Sequence, residues 1–275
     1  MPGQDILVVI DNAASVKRLL APIAALAGRT EVRVTGMYVT GMPATQAFAD
    51  LDGWAQLLDA YMTAQRAEAS KAEGAFHEEL ARLGLAGDWH CHEADMTEGV
   101  TVLARLHDLV VMGQPNPDAG VNGLRPGDVA LAAGRPALII PYAGDFAELG
   151  RHILVAWNGT REAARALHDA MFLIDGAESV TVLEIDPPDS EVGNPDLRAA
   201  DVVAALKRRG VAAKPETTVS DGTPVADIIL SLAADLTADL VVMGAWGHSR
   251  LREFVLGGAS RGILQEMTVP VLMSH

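Results

Sequence analysis

Three widely spaced glycines in residues 244–260 have the types and spacing needed to hold a phosphate. The stretch reads GAWGHSRLREFVLGGAS, in which two residues separate Gly244 from Gly247 and nine separate Gly247 from Gly257. Glycine has no Cβ, so it tolerates a positive φ and lets backbone amides come close to a bound oxygen anion. We expect Gly244 and Gly247 to form the turn with positive φ, and Gly257 and Gly258 to bring amides close to an anion.

Four basic side chains accompany these glycines, against a single acid. The basic residues are His248, Arg250, Arg252 and Arg261, and the acid is Glu253. A helix is expected to start near Gly258, Ala259 and Ser260, where unpaired N–H groups and the helix dipole favour an anion. Ser260 adds a hydroxyl. Residues 244–260, named the glycine loop below, therefore predict a phosphate site.

The overall charge makes this local basic excess informative. The chain has 275 residues, with 21 Lys+Arg against 36 Asp+Glu and a net charge of −15. Such a balance argues against nonspecific binding to nucleic acid or an anionic membrane surface. No apolar run approaches the roughly 18 residues that span a bilayer. Cys91 is the single cysteine, and the first 15 residues lack the basic start of a secretory signal, so we expect a soluble cytoplasmic protein.

The sequence repeats one plan twice. DILVVIDNAAS, near the start, matches HILVAWNGT from residue 152, and HDLVVMG matches ADLVVMG. RPALIIPY likewise matches VPVLMSH at the end of the chain. This internal similarity predicts two units, residues 1–145 and 150–275, joined by a short linker near YAGDFAELGR.

Continuous apolar runs separated by helical patterns indicate strands covered on both faces. ILVVI, LVVMG, ALIIP and VTVLEI are such runs, and they are typical of parallel sheets in α/β proteins. We predict two repeated doubly wound domains, each with a five-stranded, mainly parallel sheet flanked by helices. Ligands of such sheets bind beyond the carboxyl ends of the strands. Asp11 and Asn158 follow the first strand of each unit, and Gly113 and Gly244 end a later strand.

Helices are expected in the gaps between these runs. Asn12 or Ser15 would cap the first helix of the first unit, and Thr160 would cap its counterpart, predicted as one helix through residue 174. Residues 48–85 form a long amphipathic helical stretch, which we interpret as a surface or interface helix. A groove that binds a protein partner is the alternative interpretation of this stretch.

The complete arrangement resembles the universal stress protein family in its tandem, two-domain form. The spacing G-x2-G-x9-G after a buried strand and before the last helix is similar to that family's phosphate loop, and VPVL is similar to its last strand. The family's pattern continues with Ser or Thr, where this chain has Gly258. Ser260 matches a second hydroxyl position of the family. The resemblance implies a fold like that of the adenine nucleotide alpha hydrolases.

The resemblance also implies a ligand, ATP, which Mg²⁺ normally accompanies. In ATP-binding members an Asp after the first strand holds the ribose and adenine region, and Asp11 matches it. Asn158 stands there in the second unit and keeps a carbonyl acceptor without the charge. The base would meet the backbone near Leu183, and Met243 at the end of the strand before the loop completes the expected set.

The first unit departs from the loop pattern. After its LVVMG strand it has Pro115, Pro117 and Asp118, and Asp128 falls near the expected helix start. A carboxylate there would repel a phosphate while it satisfies the helix dipole. We therefore expect one nucleotide site per chain, in the second unit.

Other functions remain open in the sequence. HCH at 90–92 resembles metal ligands, although a half-exposed third strand explains it better, so we expect no metal there. No motif for a catalytic nucleophile or a Walker-type lysine is found, which favours nucleotide binding with a regulatory stress-response role and no catalytic residues. The alternatives are a slow ATPase or phosphotransferase, and an interaction module without nucleotide. The protein partner is unknown. The two units are expected to pack through their last strands as a pseudo-dimer, and a homodimer of chains is left open.

Overall fold

The computed structural model describes residues 3–40, 54–93, 96–116, 124–187, 197–246 and 258–275. All structural statements below refer to these ranges. Within them, no helix is both long and apolar enough to cross a membrane.

Strands and helices alternate through the first half of the chain. In order they are β1 (Gln4–Val9), α1 (Val16–Ala27), β2 (Val32–Thr40), α2 (Trp54–Leu83), β3 (Gly87–Glu93), α3 (Met96–Ala104), β4 (Leu109–Gly113), α4 (Pro126–Ala132) and β5 (Ala137–Ile140). A short 3-10 turn, Ala13–Ser15, precedes α1.

The second half repeats this alternation. Its elements are β6 (His152–Trp157), α5 (Arg161–Asp169), α6 (Met171–Ile174), β7 (Ser179–Ile185), α7 (Ala199–Arg208), β8 (Ala213–Thr218), α8 (Val225–Asp235), β9 (Leu240–Gly244), α9 (Gly258–Glu266) and β10 (Val271–Ser274).

The strands of both halves form one continuous sheet of ten strands. Their order is β3-β2-β1-β4-β5-β10-β9-β6-β7-β8, so each half has its first strand at the centre and its last strand at the junction. Pairing within each half is parallel. The α/β fold with a mainly parallel sheet flanked by helices confirms the predicted fold class. The boundaries 1–145 and 150–275 stay a prediction.

The two halves join through β5 and β10, which pair antiparallel. Leu138 lies opposite Leu272, and Val271 opposite Ile139. These are the last strands that the sequence predicts as exposed edges, and the pairing removes both edges at once. Because the junction is antiparallel and the other pairs are parallel, the carboxyl ends of the two halves lie at opposite edges of the combined sheet.

Helices cover both faces of the sheet and complete two apolar layers. One layer packs α1, α2, α5, α6 and α7 against the sheet. The other layer packs α3, α4, α8 and α9 against the opposite face. The apolar runs of the central strands β1, β4, β5, β9 and β10 are continuous because both faces of these strands are buried.

Local details agree with most of the expected helix starts. Asn12 Oδ1 accepts a hydrogen bond from Ser15 N at 2.9 Å, and Thr160 Oγ1 accepts one from Ala163 N at 3.3 Å. Asn12 thus caps the 3-10 turn that precedes α1, whereas Ser15, at the N-cap position of α1 itself, makes no side-chain cap. The helix predicted through residue 174 is instead two, α5 and α6, separated at Ala170.

A pair of leucines provides a test of the junction. Leu138→Ala and Leu272→Ala each remove a fully buried side chain, so each should lower the free energy of unfolding by about 2–5 kcal/mol. Because the two residues lie opposite each other, the double variant should depart from additivity by at least about 0.5 kcal/mol. Urea unfolding measures all three values.

The control combines Leu138→Ala with Leu206→Ala on α7, which packs against β7 and β8, far from the junction. That pair should be additive. Additive losses for Leu138 and Leu272 as well would contradict the β5–β10 pairing.

Candidate functional site

The expected site residues that the structure describes follow or end neighbouring strands of the second half. Ala156 of β6 lies level with both Leu183 of β7 and Met243 of β9. Gly244, the last residue of β9, lies opposite Ser274 of β10. Since these strands are parallel, their carboxyl ends form one edge, and Asn158 follows β6 at that edge. The side chains of Leu183 and Met243 are buried in the core.

Gly244 is needed for close packing and not for a positive φ, which corrects the expectation from the sequence. It is still part of strand β9, and Ala245 N continues the ladder with a 2.8 Å hydrogen bond to Ser274 O. A Cβ at Gly244 would lie 2.6 Å from both Ala163 N and Glu162 C. The first turn of α5 therefore packs directly on the backbone at the end of β9.

The positive φ belongs to Trp246, two residues later. Its φ is 48°, a conformation that is uncommon for a bulky side chain. Its backbone N–H donates to Ser260 Oγ at 3.3 Å, which ties the start of the glycine loop to the first turn of α9. Ser260 is buried, so its hydroxyl has a structural role in addition to the predicted ligand contact.

The first turn of α9 is open at its beginning. Gly258 is exposed, and a Cβ there would have no heavy atom of the described residues within 4 Å. Ala259 is half-buried, and Ser260 is buried behind it. The first N–H groups of a helix have no partner inside the helix, so this turn presents donors to an anion at an unobstructed position.

Asn158 is exposed at the start of the segment that leads into α5. Its Oδ1 accepts hydrogen bonds from Thr160 Oγ1 at 2.8 Å and from Thr160 N at 3.3 Å. The carbonyl oxygen that the sequence assigns to a ligand therefore already organises the entry to α5. The structure places the amide group of Asn158 at the edge of the predicted site without showing a ligand contact.

Two acid–arginine pairs near this edge are not signalled by the sequence. Glu184 at the end of β7 is buried, lies 2.8 Å from Arg198 Nε and accepts Ala199 N at 3.1 Å. Glu162 in the first turn of α5 is also buried and lies 2.5 Å from Arg161 Nε. Each arginine compensates the charge of a buried carboxylate. Neither the spacing of the first pair nor the adjacency of the second pair is a sequence pattern that predicts an ion pair.

Several expected site residues lie outside the described ranges. They are Gly247, His248, Arg250 and Gly257, together with the neighbouring Arg252 and Glu253. Their part in the site stays a prediction from the sequence. Arg261, which is described, is exposed on the first turn of α9.

The corresponding edge of the first half is occupied by its own side chains. Arg18 of α1 donates to Pro141 O at 2.5 Å, and its Nη2 lies 3.5 Å from the position that a Cβ on Gly113 would take. Burial lowers the pKa of Arg18, and the nearby charge of Asp11 opposes that shift. Glu68 of α2 accepts Ala13 N at 3.4 Å just after β1.

Tyr38 and Asp128 add to this difference between the halves. Tyr38 donates to Gln65 Oε1 at 3.2 Å, and burial, assisted by the Glu68 and Asp11 charges, raises its pKa to about 12. Asp128 lies in the first turn of α4, as expected, where its carboxylate is 3.9 Å from Arg125.

The HCH stretch lies on β3 at one outer edge of the sheet, in agreement with its interpretation as the third strand. His90 and His92 line a cleft of about 460 Å³ together with Glu98 and apolar side chains of α3. Among the described residues, no group of three or more His, Cys, Asp or Glu side chains could hold a metal ion.

The comparison with protein families decides the relationship of the second half. Residues 150–275 match the model described as the universal stress protein family. This half belongs to the universal stress protein family. The resemblance drawn from the glycine loop and the last strand is thus confirmed for the half that carries the loop. A comparison with the curated proteins gave no match.

Solved structures extend the likeness of fold to the whole chain. A universal stress protein from Archaeoglobus fulgidus DSM 4304 has a TM-score of 0.71 at 18% identity, covering 98% of this chain and 96% of that one. A functionally unknown protein from Pseudomonas aeruginosa PAO1 has a TM-score of 0.56 at 17% identity, covering 98% and 92%. A universal stress protein in complex with cAMP covers 46% of this chain and 97% of its own, with 19% identity and a TM-score of 0.32.

Two glycine substitutions test the local geometry of the site. Gly244→Ala should lower the free energy of unfolding by about 1–3 kcal/mol, because the methyl group would collide with the backbone of α5. Gly258→Ala is the matched control, since its methyl group enters open space and should change the value by no more than about 0.5 kcal/mol. Urea unfolding of both variants gives the comparison, and equal losses would contradict the close packing at Gly244.

Proposed function

We propose that the second half binds an adenine nucleotide, ATP, with its phosphates at the first turn of α9 and its adenosine along the ends of β6 and β7. The observation that carries the proposal is the start of α9, where Gly258 is exposed and no atom of the described part of the chain lies near the position of a Cβ. Anions bind well at such helix starts because several N–H groups and the helix dipole act together.

The position of this turn in the sheet supports the same ligand. It lies beyond the carboxyl ends of parallel strands, where α/β sheets bind their ligands. Trp246 and Ser260 connect the end of β9 to the turn through a hydrogen bond of 3.3 Å, which fixes where the glycine loop begins. The residues expected to add positive charge, His248 and Arg250, lie in the part of the loop outside the described ranges.

The side chains of the first half favour a single site per chain. Glu68 is bonded to Ala13 N, just after β1, and Asp128 lies in the first turn of α4. Both carboxylates would repel phosphates in that half. Arg18 donates to the carbonyl oxygen of Pro141, just after β5, and the rest of its guanidinium group covers Gly113.

The proposed role is regulatory binding and not catalysis. ATP would shift the conformation of the glycine loop or the affinity for a protein partner, and Mg²⁺ would accompany the triphosphate. A stress-response role and a cytoplasmic location follow from the family of the second half and are proposed with it.

Changes at Gly258 test the phosphate position. Gly258→Asp places a carboxylate where the phosphate would bind, so we expect at least about a tenfold loss of ATP affinity, or 1.4 kcal/mol. The same carboxylate favours the helix dipole, so the melting temperature should not fall. Isothermal titration with ATP and Mg²⁺, and mass spectrometry of nucleotide released from purified protein, provide the measurements.

Gly258→Ser is the matched gain-of-function variant at the same position. The open space accommodates the side chain, and its hydroxyl adds one hydrogen bond to the phosphates, so ATP affinity should rise by about two- to tenfold. ATP affinity that is equal in the wild type and in both variants would rule out this phosphate position.

Asn158→Asp tests the nucleoside position independently of the phosphates. A carboxylate keeps an acceptor for both bonds from Thr160 and offers a second charged acceptor to the ribose hydroxyls. Adenosine should therefore bind several-fold more tightly to this variant, as measured by titration. Weaker adenosine binding would place the ribose elsewhere.

A further inference from the structure

Gln114 of the first half contacts the end of the helix that carries the proposed phosphate site. It follows β4 and is buried. Its Nε2 donates to Leu264 O at 3.0 Å and to Gln265 O at 3.1 Å, both in the last turn of α9. Its Oε1 accepts Tyr142 N at 3.2 Å, just after β5. Because the last carbonyls of a helix have no partner inside the helix, this side chain caps α9 from the other half of the chain.

Gly127 of the first half contacts the start of the glycine loop. It lies in the first turn of α4 and is buried. A Cβ there would be 2.4 Å from Cη2 and 2.8 Å from Cζ2 of the Trp246 ring, and 3.4 Å from Leu264 Cδ1. The indole ring therefore packs directly on the backbone of α4. The same tryptophan has a positive φ and a backbone bond to Ser260.

These contacts hold both ends of α9, the helix whose first turn is the proposed phosphate site. The Trp246 ring is fixed by α4, and the Trp246 backbone is fixed by Ser260 in the first turn of α9. The opposite end of α9 is fixed by Gln114. A residue keeps an unfavourable backbone conformation only where its surroundings impose that conformation. For Trp246, part of those surroundings comes from the first half.

We propose that the first half of the chain positions Trp246 and the first turn of α9 in the second half, with Gly127 and Gln114 as the positioning residues. Neither residue would touch the nucleotide. Gly127 allows the Trp246 ring to lie against α4, which sets the conformation in which the glycine loop leaves β9. Gln114 sets the axial position of α9 and with it the position of the first-turn N–H groups. The inference about affinity rests on the proposed ATP site, whereas the inference about loop conformation does not.

The test uses the full chain with Gly127→Ala and Gln114→Leu. Gly74→Ala is the matched control, because Gly74 also lies in a helix of the first half and a Cβ there meets nothing within 4 Å. ATP affinity should fall about five- to tenfold in the first two variants, a typical size for coupling between sites. Adenosine affinity should stay within about twofold in all three, because the nucleoside does not depend on the loop.

Hydrogen–deuterium exchange without nucleotide gives a second readout. Amides in residues 258–266 should exchange faster in Gly127→Ala and Gln114→Leu than in the wild type. In Gly74→Ala their exchange rates should equal those of the wild type. Unchanged exchange in both test variants overturns the positioning role, whether or not the wild type binds ATP. Equal losses of ATP and adenosine affinity overturn it as well, since they indicate a general structural defect. A wild type that binds neither ligand overturns the proposed function alone, and the exchange rates still decide the positioning role.

Discussion

The antiparallel pairing of β5 with β10 is the interaction on which the rest of the molecule depends. Each half alone would end its sheet in a short strand that is fully buried in the whole chain and would leave its N–H and C=O groups unpaired, which is an unfavourable edge in water. Pairing the two strands satisfies these groups and fixes the relative orientation of the halves. It also places the carboxyl end of β4 beside the last turn of α9, where Gln114 can reach two otherwise unpaired carbonyls.

Close backbone approach is the second constraint, and it explains Gly244, Gly127 and Gly262 better than turn formation does. Gly244 is packed on α5 and Gly127 on Trp246, and a Cβ on Gly262 of α9 would lie 2.7 Å from Ala226 Cβ on α8. At each of these positions a methyl group would separate two elements that now touch. Gly258 differs because it faces open space, which is what a ligand position requires.

The sequence predicts the architecture well because strands that are buried on both faces have continuous apolar sequences, which are easy to recognise. Runs such as LVVMG in β4 and β9 are typical of strands inside a covered sheet, and the repeat of the plan predicts the similarity of the halves. The break at Ala170 was not predictable, because neither glycine nor proline marks it. The positive φ that the sequence assigns to Gly244 lies instead at Trp246. Residue type favours the glycine, but packing places the turn two residues later.

The candidate site is only partly contained in local sequence. The strand ends, the helix start and the spacing of the glycines follow from patterns within the glycine loop. The contacts of Gly127 with Trp246 and of Gln114 with α9 join residues more than 100 positions apart, and no local pattern encodes them. The pairing of buried Glu184 with Arg198 is also a tertiary feature, because the intervening chain length does not determine it.

The outer strands of the sheet have a consequence for self-association. With β5 and β10 consumed internally, β3 and β8 are the strands at which the described sheet ends. In β8, Pro215 lacks an N–H group, and its neighbours are the exposed Lys214 and the half-buried Glu216, which are both charged. Such a strand is a poor template for a further strand, so runaway growth of the sheet into polymers is blocked at that end.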